Sequence, residues 1–383
     1  MTLEKKAITH YQIFNRALEA EEKGDKIYHL EVGDPDIEVD PEVIDEMCRR
    51  AREGYTHYSS PRGILELRKM ITTYLNNRLG VERDPEDILV TIGSKTGLYL
   101  VLKYLVKPRE SIVLLEPTWG AYRTLITQME INYIPIKTHF NNTWMPTTKD
   151  LDNIRKMDFK AFLLLNPSNP TGKVLPRKII DEIVDIVIEK NAFLIGDEVY
   201  FDTIFKGPKD YPSTLKYEYK KTVALYSLSK SHAMTGFRLG WVVSEEDILE
   251  KLKKGIQHVY TNVPVFIQYA GIKALSKTEI VEKNREIYRR RVEIMANALS
   301  KMGFKFHYPD ATFYIFSMVP DGVGDVNKFA LELLDEKGVA VAPGASFGGY
   351  NNFIRFSASA KEEDIKIAME RIMDYINENS KTI

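Results

Sequence analysis

The sequence predicts an α/β protein, a large unit with a mostly parallel central sheet and a smaller α+β unit beside it. Three observations predict this. Through the middle of the chain short apolar runs alternate with longer amphipathic ones, the pattern of βα units. Five of those runs lead directly into unusual polar or aromatic clusters. Beyond about Ser276 the texture changes to a long charged helix, short strands and a closing amphipathic helix.

Taken in chain order, the first ~45 residues carry one short helix (about Tyr11–Glu22) and one strand (Ile27–Val32). That is too little to bury a core, so this segment must pack on the rest of the molecule. The five core strands are expected at Ile88–Ile92, Ile112–Leu115, Phe162–Leu165, Phe193–Ile195 and Val223–Tyr226. Each is a short, nearly unbroken apolar run, as strands covered on both faces require. A helix beginning near Ser94 carries Leu98, Leu102 and Leu105. Another begins at Pro176, a favoured first helical position, and sets Ile179, Ile180, Ile183, Val184 and Val187 on one stripe. The smaller unit follows: a helix from Glu279 to about Met302, strands at Phe313–Phe316, Val339–Val341 and Phe353–Phe356, and a helix from Glu362 to about Asn379. The expected division gives residues 45–280 to the large unit and residues 1–44 with 281–383 to the small one.

Composition narrows the function classes. Hydrophobic residues make up 44% and charged residues 28% of the 383, which is globular rather than disordered or fibrous usage. Lys and Arg number 53 against 54 Asp and Glu, so there is no basic excess to favour nucleic acid or a membrane surface. Cys48 is the single cysteine and cannot form an internal disulfide. Met1 to Lys6 is polar where a signal peptide needs an apolar stretch, and no run approaches the ~20 apolar residues of a membrane span. A cytoplasmic protein is expected. The seven histidines are scattered without metal-ligand spacing, so no metal is expected, and Gly322-Val323-Gly324 reads as a turn.

The clusters carry the chemistry. Gly93-Ser94-Lys95-Thr96-Gly97 follows the first strand and Glu116-Pro117-Thr118-Trp119 the second. Asn166 to Gly172 follows the third, Gly196-Asp197-Glu198-Val199-Tyr200 the fourth, and Ser227-Leu228-Ser229-Lys230 the fifth, with Thr235 to Arg238 just beyond. Singly, each has an ordinary reading as a turn, a cap, a packing aromatic or a surface charge. In an open α/β sheet, however, ligands bind beyond the carboxyl ends of the strands. If the sheet is parallel, all five clusters converge on one rim.

Val32-Gly33-Asp34-Pro35-Asp36, Tyr58 followed by Gly63, Asn169-Pro170-Thr171-Gly172, Asp197 to Tyr200, Ser227 to Lys230 with Arg238-Leu239-Gly240, and Arg355-Phe356-Ser357 together resemble the class I aminotransferases. These are pyridoxal-phosphate enzymes of fold type I, with aspartate aminotransferase as the familiar member. The resemblance runs in the family's order over nearly the whole chain. It implies that Lys230 is the catalytic amine, first bonded to the cofactor's aldehyde and then acting as general base at the substrate Cα. It makes Asp197 the partner of the pyridine nitrogen, Asn169 and Tyr200 those of the phenolic oxygen, and Trp119 a wall against the ring. Ser94, Lys95, Ser227, Ser229 and Arg238 would hold the phosphate, helped by the free amides of a helix N-terminus. Gly33, Asn169 and Arg355 would meet the substrate, Arg355 through a two-pronged grip on its carboxylate. Tyr58 would reach the phosphate of a neighbouring subunit, which implies a homodimer with shared sites.

The expected activity is transfer of an amino group from an L-amino acid to a 2-oxo acid, 2-oxoglutarate above all, with aspartate-like or broad donor range. Where the best-known aspartate aminotransferases place an arginine for the distal carboxylate, this chain has Gln257 and His258. Another aspartate-using subgroup has a lysine at the place of Lys95 instead. The alternatives are a carbon–sulfur lyase or an aminocyclopropane-carboxylate-synthase-like eliminating enzyme of the same fold. A cofactor-sensing DNA-binding regulator is more remote, since the motifs begin at Gly33.

Overall fold

A computed structural model describes residues 8–207 and 210–379. The polar stretch Met1 to Lys6 lies outside them. The chain starts with α1 (His10–Glu22), capped by a reciprocal pair in which the Thr9 side chain accepts from the Gln12 amide and the Gln12 side chain accepts from the Thr9 amide. A short strand β1 (Tyr28–His29) follows. Ile13, Ala17, Tyr28 and Leu30 are buried against Phe329, Leu333 and Val339 from the far end of the chain, so the N-terminal segment does find its core elsewhere. The strand is shorter than the expected Ile27–Val32. Beyond the Leu30 amide, which still donates to Ala340, the backbone leaves the ladder, and the carbonyls of Glu31 and Gly33 turn to side chains of the site.

Helices α2 (Pro41–Arg52) and α3 (Leu65–Leu79) lead into the large sheet. Its strands are β2 (Ile88–Ile92), β3 (Ser111–Glu116), β4 (Asn132–Lys137), β5 (Ala161–Leu165), β6 (Phe193–Asp197), β7 (Thr222–Ser227) and β8 (Leu239–Ser244), in the order β2-β8-β7-β6-β5-β3-β4. Pairings among β3 to β7 are parallel, and β8 runs antiparallel between β2 and β7. Because β8 reverses twice over, β2 points the same way as β7. All five expected strands therefore share one direction, and their clusters meet at one rim. Strands β4 and β8 are additional to the sequence reading. β4 is an edge strand with mixed burial, and β8 follows directly on the Arg238 motif with no helix between to mark it.

Alternate residues explain why these strands are apolar throughout. Leu89, Val223, Leu225, Ile112, Leu114 and Leu163 pack with α4 (Gly93–Leu105), α5 (Gly120–Gln128) and α8 (Glu246–Val259). On the opposite face Val90, Ala224 and Tyr226 pack with α3 and α9 (Val265–Ser276). Further along that face Val113, Phe162 and Leu164 pack with α6 (Thr148–Lys156) and α7 (Arg177–Glu189). A truncation such as Leu163→Ala, at a residue 1% exposed, removes about 2–5 kcal/mol of stability. Pro176 caps α7 rather than opening it.

The remaining chain runs through α10 (Thr278–Lys301), β9 (Lys305–Phe306), β10 (Tyr314–Met318), α11 (Val326–Lys337), β11 (Val339–Ala340), β12 (Ala342–Pro343), β13 (Phe353–Ser357) and α12 (Glu362–Asn379). β1 pairs with β11 in parallel, while β12, β13, β10 and β9 form an antiparallel sheet. Among the described residues no helix is long and apolar enough to cross a membrane.

Candidate active site

A cavity of about 310 Å³ opens at the carboxyl rim of the large sheet. Of the residues expected to form the site, Gly33, Ser94, Lys95, Trp119, Asn169, Asp197, Tyr200, Ser227, Ser229, Lys230, Arg238 and Arg355 all line it. Tyr58 does not; it is 86% exposed in its own chain.

At the floor, Asp197 closes β6. Its Oδ2 accepts a 2.6 Å hydrogen bond from the Tyr122 hydroxyl and its Oδ1 a 3.4 Å bond from the Val199 amide. Burial lifts its pKa to about 6, against the lowering effect of those two donors. Glu198, one residue on, faces the other way. It accepts from the Ser213 hydroxyl, the Thr214 amide and hydroxyl, and the Tyr226 hydroxyl, so its polar capacity is spent inside the core. Alternation along the chain separates a carboxylate open to the cavity from one locked in structure.

The Lys230 amine donates to the Gly33 carbonyl at 2.6 Å. Loss of solvation brings its pKa down to about 8, opposed by the nearby Asp34 carboxylate. Two residues of α10 hold its backbone and that of its neighbour: Tyr288 donates to the Lys230 carbonyl at 2.7 Å and Asn284 to the Ser231 carbonyl at 3.0 Å.

Beside the lysine lies a cradle for an anion. α4 starts without a side-chain cap, at Gly93 with φ +70°, leaving its first-turn amides free. A Cβ on Gly93 would stand 2.8 Å from a terminal nitrogen of Arg238, so the glycine lets that cation approach the helix N-terminus. Ser227 donates to Ser229 Oγ at 2.7 Å, and both serines line the cavity. The Lys95 amine stands 4.8 Å from the Trp119 ring centroid.

Arg355, 2% exposed, forms the opposite wall. Its Nη1 donates to Asn169 Oδ1 at 3.0 Å and its Nη2 to the Glu31 carbonyl. Asn169 in turn donates to the Tyr200 hydroxyl at 3.4 Å, and Tyr200 contacts the Tyr314 hydroxyl at 3.2 Å.

This arrangement fits pyridoxal phosphate. An amine of lowered pKa suits an aldehyde, a buried carboxylate suits a protonated ring nitrogen, and the cradle at α4 suits a phosphate. Among the described residues no group of three or more His, Cys, Asp or Glu could hold a metal ion.

The family model described as aminotransferase class I and II matches residues 25–372. The chain belongs to that family. It is a pyridoxal-phosphate-dependent aminotransferase. It is similar to the aspartate aminotransferase of Thermococcus kodakarensis, 34% identical over 367 residues that cover 94% of this chain and 92% of the relative. It is also similar to the (5-formylfuran-3-yl)methyl phosphate transaminase of Methanocaldococcus jannaschii, 32% identical with 94% of each chain covered. The crystal structure of aspartate aminotransferase from Thermotoga maritima superposes with a TM-score of 0.88 at 29% identity, covering 97% of this chain and 98% of that one.

Several cavity residues of this aminotransferase escaped the sequence reading. His10 and Tyr11 come from the first turn of α1, Tyr122 from α5 and Tyr314 from β10. Tyr122 had a signal, three residues after Trp119 on a helix that starts at the rim, which points both to one side. His10 and Tyr314 had none, because only tertiary contacts bring them here. His10, 6% exposed, has its pKa driven down to about 3 by burial and then by Arg355 and Lys95, so it lines the cavity as a neutral ring.

Proposed function

We propose that this aminotransferase moves the amino group of an aspartate-like or broader range of L-amino acids to 2-oxoglutarate, in two half-reactions at one site. The observation that carries this reading is the placement of the Lys230 amine, the Asp197 carboxylate and the Arg355 guanidinium around one cavity. Pyridoxal phosphate, when bound, supplies an aldehyde that takes up the amino group and a ring that withdraws electrons from the substrate Cα.

The chain's own residues do the rest. Lys230 would hold the cofactor's aldehyde at rest, and its amine, when free, would serve as the general base for the substrate Cα proton. Asp197 keeps the ring nitrogen protonated. A cation opposite that carboxylate pulls its pKa down from about 6, strengthening the ion pair. Asn169 and Tyr200 hold the phenolic oxygen and Trp119 bounds the ring. Ser94, Lys95, Ser227, Ser229 and Arg238 bind the phosphate. Arg355, with Asn169 and the Gly33 backbone, orients the substrate carboxylate. Lys95 has a second use in this reading, as the cation nearest a distal carboxylate, in keeping with the two relatives named as acting on aspartate. Exposed Tyr58 is available to complete the site of a second copy, so the active unit is a homodimer, and residues 45–280 form its large unit. The compartment is the cytoplasm.

Mixing the holoenzyme with a panel of L-amino acids tests the reading. Aspartate and glutamate should convert the cofactor to its amine form, seen as a shift of absorbance to shorter wavelength, and 2-oxoglutarate should reverse it. Release of ammonia or thiol in place of that reversible shift would assign the chain to elimination chemistry.

A further inference from the structure

More than hydrogen bonds restrains Arg355. The central carbon of its guanidinium lies 4.3 Å from the ring centroid of Tyr314 and 4.8 Å from that of Phe347. Tyr314 belongs to β10, which pairs antiparallel with the β13 strand that carries Arg355. Phe347 closes the turn Gly344–Phe347 after β12. The two rings are 2% and 1% exposed, so these contacts are made away from bulk water. Tyr314 is itself fixed. Its hydroxyl touches that of Tyr200 and occupies the space a Cβ on Gly33 would need, 1.7 Å from the ideal position of that atom. His10 stacks on Phe347 at 5.8 Å and 15°, so the first turn of α1 bears on the same group.

We propose that Tyr314 and Phe347 are positioning residues for substrate recognition: their rings form an aromatic bracket that fixes the plane of Arg355. The proposal rests on reading Arg355 as the grip on the substrate carboxylate. A two-pronged bond needs the plane of the guanidinium to match that of the carboxylate. The bonds to Asn169 and Glu31 restrain only the edge of the group, at its two terminal nitrogens. Ring faces restrain the tilt that those bonds leave free, and their negative quadrupoles hold the cation in a water-poor site. The bracket also explains Gly33 in a second way: any side chain there would push Tyr314 out of place. Its effect falls on the carboxylate common to every donor and acceptor, so it sets affinity for all substrates rather than choice among them.

The test uses the holoenzyme and the inhibition constant of an unreactive dicarboxylate such as maleate, with KM and kcat read separately. Placing phenylalanine and then pentafluorophenylalanine at position 314 keeps a ring in place while reversing its quadrupole. Going from the first to the second should weaken inhibitor binding roughly 3- to 30-fold, the range of a desolvated cation–π contact. KM should rise in parallel for aspartate and 2-oxoglutarate, while kcat and bound cofactor content stay close together in the two variants. Equal inhibition constants in the two variants would overturn the bracket. Arg355→Lys separates the two levels. If it weakens maleate binding while the fluorinated ring does not, only the bracket fails; if it leaves maleate binding intact, the reading of Arg355 fails and takes the bracket with it.

Discussion

The floor of the cavity and its outer wall are built in different ways. The floor hangs from the tips of parallel strands: Asp197 ends β6, Ser227 ends β7 and Gly93 follows β2, each placed by a few neighbouring residues. The outer wall joins distant parts of the chain. Arg355 reaches the Glu31 carbonyl 324 positions away and Asn169 across 186 positions. The floor is thus fixed when the sheet forms, whereas the wall exists only after both ends of the chain have docked. In the proposed reading the cofactor chemistry belongs to the floor, and the substrate contacts lie where distant segments meet.

If the floor carries the chemistry, its residues should show the largest effects. Lys230→Ala should abolish turnover, lowering kcat by about 10⁴-fold or more, and remove the absorbance of the lysine-linked cofactor. A variant that retained that covalent chromophore would end the assignment. Asp197→Ala should lower kcat by about 10³-fold while the fold survives. Glu198→Gln, one residue away but turned into the core, should instead destabilise the protein by about 1–3 kcal/mol and spare the rate per folded molecule. Thermal melts and kcat measured on both variants settle whether the two acids divide in this way; equal effects on rate would erase the distinction.

A third prediction concerns pH. Free Lys230 has its pKa lowered to about 8, so its amine is uncharged above that value rather than only above the ordinary ~10.4 of a lysine. Since the neutral amine is the nucleophile, capture of pyridoxal phosphate by cofactor-free protein should accelerate as pH climbs toward 8 and level off beyond it. Removing the opposing charge with Asp34→Asn should move the midpoint lower. Stopped-flow absorbance checks this, and a rate still rising at about pH 10 would show that the amine is not desolvated. The smallest effect is expected at exposed Lys95. Lys95→Ala should lower kcat/KM for aspartate about 3- to 10-fold relative to alanine. Equal losses for both donors would leave Lys95 with the phosphate alone.

Strand directions and the rim were readable because buried strands and the turns after them are local features. Ile88–Ile92 and the helix Glu362–Asn379 end where the periodicity says. The antiparallel β8 was not readable in that way, since its apolar run looks the same in either direction and only its neighbours fix its sense. The family motifs named most of the cavity because each is short enough for chain geometry to hold its members together. They did not reveal Tyr314 as the neighbour of Arg355, because a strand pattern shows that a residue is buried but not what it is buried against.

The amino-acid sequence by itself determined the chemistry available: one amine, one carboxylate and one anion cradle at successive strand ends, set by alternation along a strand and the direction of a parallel sheet. Tertiary structure alone decided that Tyr122 is the donor to Asp197, how far the lysine's proton affinity falls, and which rings bracket the arginine. Those properties depend on desolvation and on contacts between residues of different elements, and no local pattern encodes them.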